Sequence, residues 1–81
     1  MAQFKIIVTT TDTRTDAKID QIEMDAEDII VATREFYRIR NSLHDIKSLM
    51  KSAGATRYDL QIIQRDDKGE WSLFQGKRIT I

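Results

Sequence analysis

The strongest constraint on the fold is an apolar stripe in the middle of the chain. Eight apolar residues recur at alternating spacings of three and four positions: Ile29, Ala32, Phe36, Ile39, Leu43, Ile46, Met50 and Ala53. Side chains at these spacings lie on one side of an α-helix. The stripe therefore predicts one long amphipathic helix over residues 26–53, whose apolar side packs on the rest of the protein.

Both ends of this helix carry recognisable signals. Asp25 is a favourable N-cap residue, and Asp28 follows it three positions later, as in a capping box. Gly54 predicts the C-terminal stop, because glycine readily adopts the left-handed conformation found there. Ser42 and Asp45 repeat the capping-box spacing inside the helix, so a break near Ser42 is an alternative to one continuous helix.

Alternation of apolar and polar residues predicts strands on both sides of the helix. These strands span residues 4–10, 17–24, 57–67 and 70–74. In the second strand the alternation slips between Ile19 and Ile22, which predicts a β-bulge.

The end of the chain allows four or five strands. Residues 66–69 predict a tight hairpin, because Gly69 can take a positive φ. Residues 75–77 predict either a turn before a short fifth strand over residues 78–81 or a glycine bulge in one long final strand.

The predicted element order defines the fold class. With 81 residues the chain has too few apolar side chains to close a second core, so we expect residues 1–81 to form a single domain. The order is β-β-α-β-β, with an optional fifth strand. It predicts an α+β two-layer sandwich in which the long helix packs on an antiparallel sheet of four or five strands.

The predicted helix is longer than the predicted strands. Residues 26–53 would span about 42 Å as a helix, whereas a seven-residue strand spans about 23 Å. Either the helix breaks, or it projects beyond the sheet and its exposed stripe meets a second copy. The second alternative predicts a homodimer.

Residues that carry catalysis or bind metal are scarce. The chain has no cysteine, which excludes disulfides and thiolate sites, and His44 is its only histidine. Its three glycines form no phosphate-binding loop. We therefore expect no enzymatic activity, metal or cofactor.

The N-terminus lacks the features of a signal peptide, and no apolar run approaches the ~20 residues that span a bilayer. We accordingly expect a cytoplasmic protein with no membrane partner.

The polar side of the helix is the candidate partner-binding surface. It consists of seven residues: Arg34, Tyr37, Arg38, Arg40, His44, Lys47 and Lys51. Thirteen basic and thirteen acidic residues give no net charge, but residues 16–28 are mainly acidic and the helix after them is mainly basic. Arginine and aromatic residues are enriched at binding hot spots, so this surface favours a protein partner of unknown identity.

Two other interactions are alternatives. The Arg/Lys cluster of the helix favours nucleic acid, although acidic residues are interspersed and no nucleic-acid-binding motif occurs. Residues 78–81, Arg-Ile-Thr-Ile, could pair as a sheet edge with a strand of a partner or a second copy. A purely structural subunit is a further alternative.

In its size, single domain and lack of catalytic groups, the chain resembles the small proteins that phages make to inhibit or redirect a host factor. This resemblance involves no particular residues. It implies a larger host or defence protein as the partner, and it makes the charged helix a candidate blocking surface for an inhibitor or regulator.

Overall fold

A computed structural model describes residues 3–49 and 56–80, with the side chains of these residues except 46–49. The described elements follow the predicted order: β1 Phe4–Asp12, β2 Ala17–Ala26, α1 Ile29–Leu49, β3 Thr56–Arg65 and β4 Trp71–Thr80. All neighbouring strands are antiparallel, in the order β2-β1-β3-β4. The α+β fold with one helix on an antiparallel sheet is therefore confirmed, with four strands in the described residues.

The β-bulge predicted in the second strand is present. Thr10 pairs with Asp20 and Thr11 pairs with Lys18, so Ile19 is the extra residue on β2. Its insertion shifts the alternation of the strand, as the sequence indicated.

The predicted N-cap at Asp25 is wrong, because β2 runs two residues further than predicted and Asp25 pairs with Lys5. The helix begins after Asp28 instead. The Oδ1 atom of Asp28 accepts a hydrogen bond of 2.9 Å from the backbone N–H of Val31. Its carbonyl oxygen accepts the N–H of Ala32 at 3.1 Å. Asp28 therefore has both contacts of an N-cap residue.

The last strand is continuous and carries the second bulge of the sheet. Ile62 pairs with Gln75 and Ile63 pairs with Leu73, so Phe74 is the extra residue. The bulge thus lies at Phe74, whereas Gly76 keeps its place in the ladder. At the preceding hairpin, Gly69 has a φ of 82°, as its turn position predicted.

The described helix matches the sheet in length. It has 21 residues, which span about 31 Å, and a ten-residue strand such as β3 spans about 33 Å. The helix is continuous through Asn41 and Ser42. Over the described residues the length difference is small, because the strands are longer than predicted and the helix starts later; the predicted helix residues 50–53 lie outside the described residues. The predicted stop at Gly54 lies outside the described residues.

The apolar stripe of the helix packs on one face of the sheet. Ala32, Phe36 and Leu43 are buried there, and Ile39 packs against them from a partly buried position. The sheet contributes five buried apolar residues: Ile6, Ala26, Leu60, Ile62 and Ile79. The interpretation of the stripe as a core surface is therefore confirmed as far as Leu43, and Met50 and Ala53 lie outside the described residues.

The opposite face of the sheet has no covering layer among the described residues. Successive side chains of a strand point to opposite faces, so this open face carries the residues that alternate with the core: Lys5, Ile7, Ile63, Trp71 and Leu73. The side chain of Leu73 is 60% exposed. The protein thus offers two separate surfaces for contacts, the outer side of the helix and the open face.

Candidate partner-binding surface

Five of the seven residues predicted to bind a partner have described side chains: Arg34, Tyr37, Arg38, Arg40 and His44. Arg34, Tyr37 and His44 lie on one side of the helix, because the steps from each to the next are three and seven residues and follow the helical repeat. Tyr37 contacts β4, so this is the β4 side. Arg38 is four residues from Arg34 and adjoins this side, but its side chain pairs with Glu35. The side chains of Lys47 and Lys51 lie outside the described residues.

Tyr37 is held in place from two elements. Its hydroxyl oxygen accepts a hydrogen bond of 3.2 Å from Nε2 of Gln75 on β4. Its ring meets the ring of Phe36 edge to face, with 5.5 Å between centroids. Because Phe36 is buried in the core, these contacts fix the ring while 38% of the residue stays exposed.

Arg40 is stacked on this tyrosine. Its guanidinium carbon lies 4.8 Å from the centroid of the Tyr37 ring, within the range of a cation–π interaction. One nitrogen, Nη2, donates to Oδ1 of Asn41 at 3.4 Å. Stacking restricts the long side chain before any partner arrives, so less conformational entropy is lost when the pair is bound.

Two exposed apolar residues lie on the same side of the molecule as the Tyr37–Arg40 pair. Ile30 is seven residues before Tyr37, on the same side of the helix, and is 68% exposed. Phe74 precedes Gln75 on β4 and is 46% exposed, although its ring packs edge to face on Phe4 at 6.1 Å. We call Ile30, Arg34, Tyr37, Arg40, Phe74, Gln75 and Lys77 the helix–β4 surface.

Sequence reasoning missed the part of this surface outside the predicted polar face. The exposure of Ile30 could have been predicted, because Ile30 is an apolar residue outside the apolar stripe. Phe74 and Gln75 gave no such signal. Their positions depend on the bulge at Phe74 and on the order of the strands, which place β4 beside the helix residue Tyr37.

Arg38 is paired within the helix. Its Nη2 and Nε atoms donate to Oε2 of Glu35 at 2.8 and 3.0 Å. These hydrogen bonds lower the pKa of the Glu35 carboxyl and raise the pKa of the Arg38 guanidinium, and the charge of Arg34 also lowers the pKa of Glu35. The pair neutralises one of the arginines that the sequence assigned to partner binding.

On the open face, the charged residues are also paired. The Oδ1 atom of Asp59 accepts a hydrogen bond from Nε of Arg78 at 2.7 Å, and its Oδ2 lies 3.4 Å from Nε of Arg57. Trp71 contacts two cations, with the Lys5 ammonium 5.1 Å and the Arg65 guanidinium 5.0 Å from the centroid of its ring. These contacts occupy side chains that could otherwise bind phosphate or stack on bases.

The described residues contain no group of three or more His, Cys, Asp or Glu side chains placed to hold a metal ion. Nor does the described helix have the length and apolar character needed to cross a membrane. Comparison with known proteins gives no match to any protein-family model, curated protein or solved structure.

Proposed function

We propose that this chain is a small non-enzymatic module that binds a larger protein through the helix–β4 surface and regulates or inhibits it. The observation that carries the proposal is the Tyr37–Arg40 stack, which is half-exposed and anchored to both Phe36 and Gln75. Tyrosine and arginine are the residue types most often found at binding hot spots. Exposed Ile30 and Phe74 supply apolar area beside them.

The same contacts favour a protein partner over the alternative of nucleic acid. Arg38, Arg57 and Arg78 form ion pairs with carboxylates. To bind nucleic acid, each of these arginines would have to give up its carboxylate for a phosphate. The Trp71 ring already contacts Lys5 and Arg65. A base that stacks on this ring competes with these cations, which reduces the gain from stacking.

A nuclease-treated pull-down tests the proposal. Tagged wild-type protein is compared with a Tyr37→Ser/Arg40→Gln double variant in a lysate of the source cells. Arg38→Gln is the matched control, because it removes an exposed arginine of the same helix from outside the helix–β4 surface. Circular dichroism verifies that all three proteins are folded.

We expect one stoichiometric protein with the wild type and with Arg38→Gln, and its loss with the double variant. Loss with both variants, or retention with both, would show that the helix–β4 surface is not the binding site. Recovery of nucleic acid alone from untreated lysate would establish the alternative function.

A further inference from the structure

The charges of the molecule are separated between the two edges of the sheet. The edge strand β2 has one lysine against three carboxylates, a net charge of −2, whereas β4 has Lys77 and Arg78 and no acidic residue, a net charge of +2. Both strands lie at the ends of the order β2-β1-β3-β4. One edge of the sheet is therefore acidic and the other basic.

The helix continues this separation on its β4 side. The helix residues at 3–4 spacing through Tyr37 are Ile30, Arg34, Tyr37, Asn41 and His44, and the acidic residue that adjoins them is Asp45, four positions after Asn41. Lys77 pairs with the core residue Leu60, which places its side chain on the helix-covered face of the sheet. Arg34, Arg40 and Lys77 thus give the β4 side of the molecule an excess of positive charge.

Arg40 has unused hydrogen-bonding capacity within this surface. Its Nε atom is shielded from solvent and has no hydrogen-bond partner in the described part of the chain. A shielded donor without an acceptor costs free energy. A carboxylate forms charge-assisted hydrogen bonds with a guanidinium, and it would reach Nε once the Arg40 side chain turns on the Tyr37 ring.

We propose that the helix–β4 surface recognises an acidic segment of a partner protein, with carboxylates on Arg34, Arg40 and Lys77 and apolar side chains on Ile30, Tyr37 and Phe74. This inference rests on the proposed function and specifies the chemistry of its partner. Charge complementarity identifies the acidic character, and the three exposed apolar residues favour a peptide over a polyphosphate chain, which has no apolar side chains.

The experiment uses a defined probe. A short capped peptide of alternating Glu and Leu residues is titrated into the isotopically labelled full chain, and amide chemical shifts are followed by NMR. A matched peptide with Gln in place of Glu keeps the length and the apolar residues. A single-stranded oligothymidylate tests for nucleic acid under the same conditions.

We expect the Glu peptide to shift the amides of Tyr37 and Gln75 and to bind more weakly as salt is added. Arg40→Gln should weaken its binding about tenfold or more, since hydrogen bonds to charged groups are lost. Arg38→Gln should leave binding nearly unchanged. Four results would overturn the inference. The Gln peptide binds as well as the Glu peptide, or the Glu peptide causes no shift. Alternatively, the shifts fall on β2 or the open face, or the oligothymidylate binds more tightly than the Glu peptide.

The two proposals can fail separately. If the pull-down captures a partner through the helix–β4 surface but the Glu peptide does not displace it, the acidic character of the partner is wrong and the binding function stands. If the Glu peptide binds at Tyr37 and the pull-down gives no partner, the surface recognises acidic peptides but the proposed regulatory function fails.

Discussion

The two faces of the sheet are built from the same four strands and are stabilised differently. On the covered face, Ile6, Leu60 and Ile62 are at most 1% exposed beneath the helix. On the open face, the alternating residues of the same strands form ion pairs such as Asp59 with Arg78 and leave Leu73 60% exposed. One face derives its stability from apolar burial, and the other is maintained by contacts that solvent and salt weaken.

This difference separates stability from partner binding. Residues of the covered face are fixed by packing, so a change there affects the whole fold. Residues of the open face and the outer helix can change without opening the core. The helix–β4 surface lies at the boundary between the two, because Tyr37 is exposed while its neighbour Phe36 is buried.

The largest effect is expected for Phe36→Ala. This substitution removes a fully buried ring that the helix inserts into the core, and it should lower the free energy of unfolding by about 3–5 kcal/mol. Leu73→Ala, its counterpart on the open face, should cost less than about 1 kcal/mol. Urea denaturation measures both. Similar losses for the two variants would mean that the open face is covered in solution.

A smaller effect is expected at the N-terminus of the covering helix. Asp28→Ala removes the acceptor of the Val31 N–H and should destabilise the protein by about 1 kcal/mol. Asp25→Ala is the control, because Asp25 is exposed on β2 and does not cap the helix. Denaturation midpoints that fall more for Asp25→Ala than for Asp28→Ala would place the N-cap where the sequence first predicted it.

The sequence predicted the layers of the fold better than the limits of the elements. The stripe through Ala32, Phe36 and Leu43 reports burial directly, because apolar spacing determines which side of a helix can leave water. The start of the helix was harder to predict. Asp25 and Asp28 are both good N-cap residues, and the pairing of Asp25 with Lys5 across the sheet decides between them. Such long-range pairing is not encoded in local spacing.

The candidate site was only partly predictable for the same reason. Arg34, Tyr37 and Arg40 could be placed on the outer helix from their spacing alone. The pairing of Arg38 with Glu35 was accessible from their three-residue separation. The contribution of Gln75 was not, because it depends on the strand order that brings β4 against the helix.

On the open face, Asp59→Asn tests how much the ion pairs contribute. The carboxylate contacts Arg57 and Arg78 from a partly exposed position, so its loss should cost less than about 1 kcal/mol, and less still at high salt. Asp67→Asn, at the exposed hairpin turn, removes the same charge as a control. A loss of several kcal/mol that salt does not reduce would show that the open face contains a buried charge network.

The smallest effect concerns the outer side of the covering helix, where Glu35 pairs with Arg38. The hydrogen bond from Arg38 is the main cause that lowers the pKa of the Glu35 carboxyl. The charges of Arg38 and Arg34 lower it further. A carboxyl whose pKa is lower in the folded state favours folding above its unfolded pKa, and this contribution is lost as the pH falls through the folded pKa. Arg38→Gln should therefore raise the pKa of Glu35 towards the ordinary range and remove part of the pH dependence of stability in acid. Carboxyl-detected NMR titration of Glu35 in both proteins measures the change. An unchanged pKa would mean that the pair does not persist in solution, and that Arg38 is then as available to a partner as Arg34.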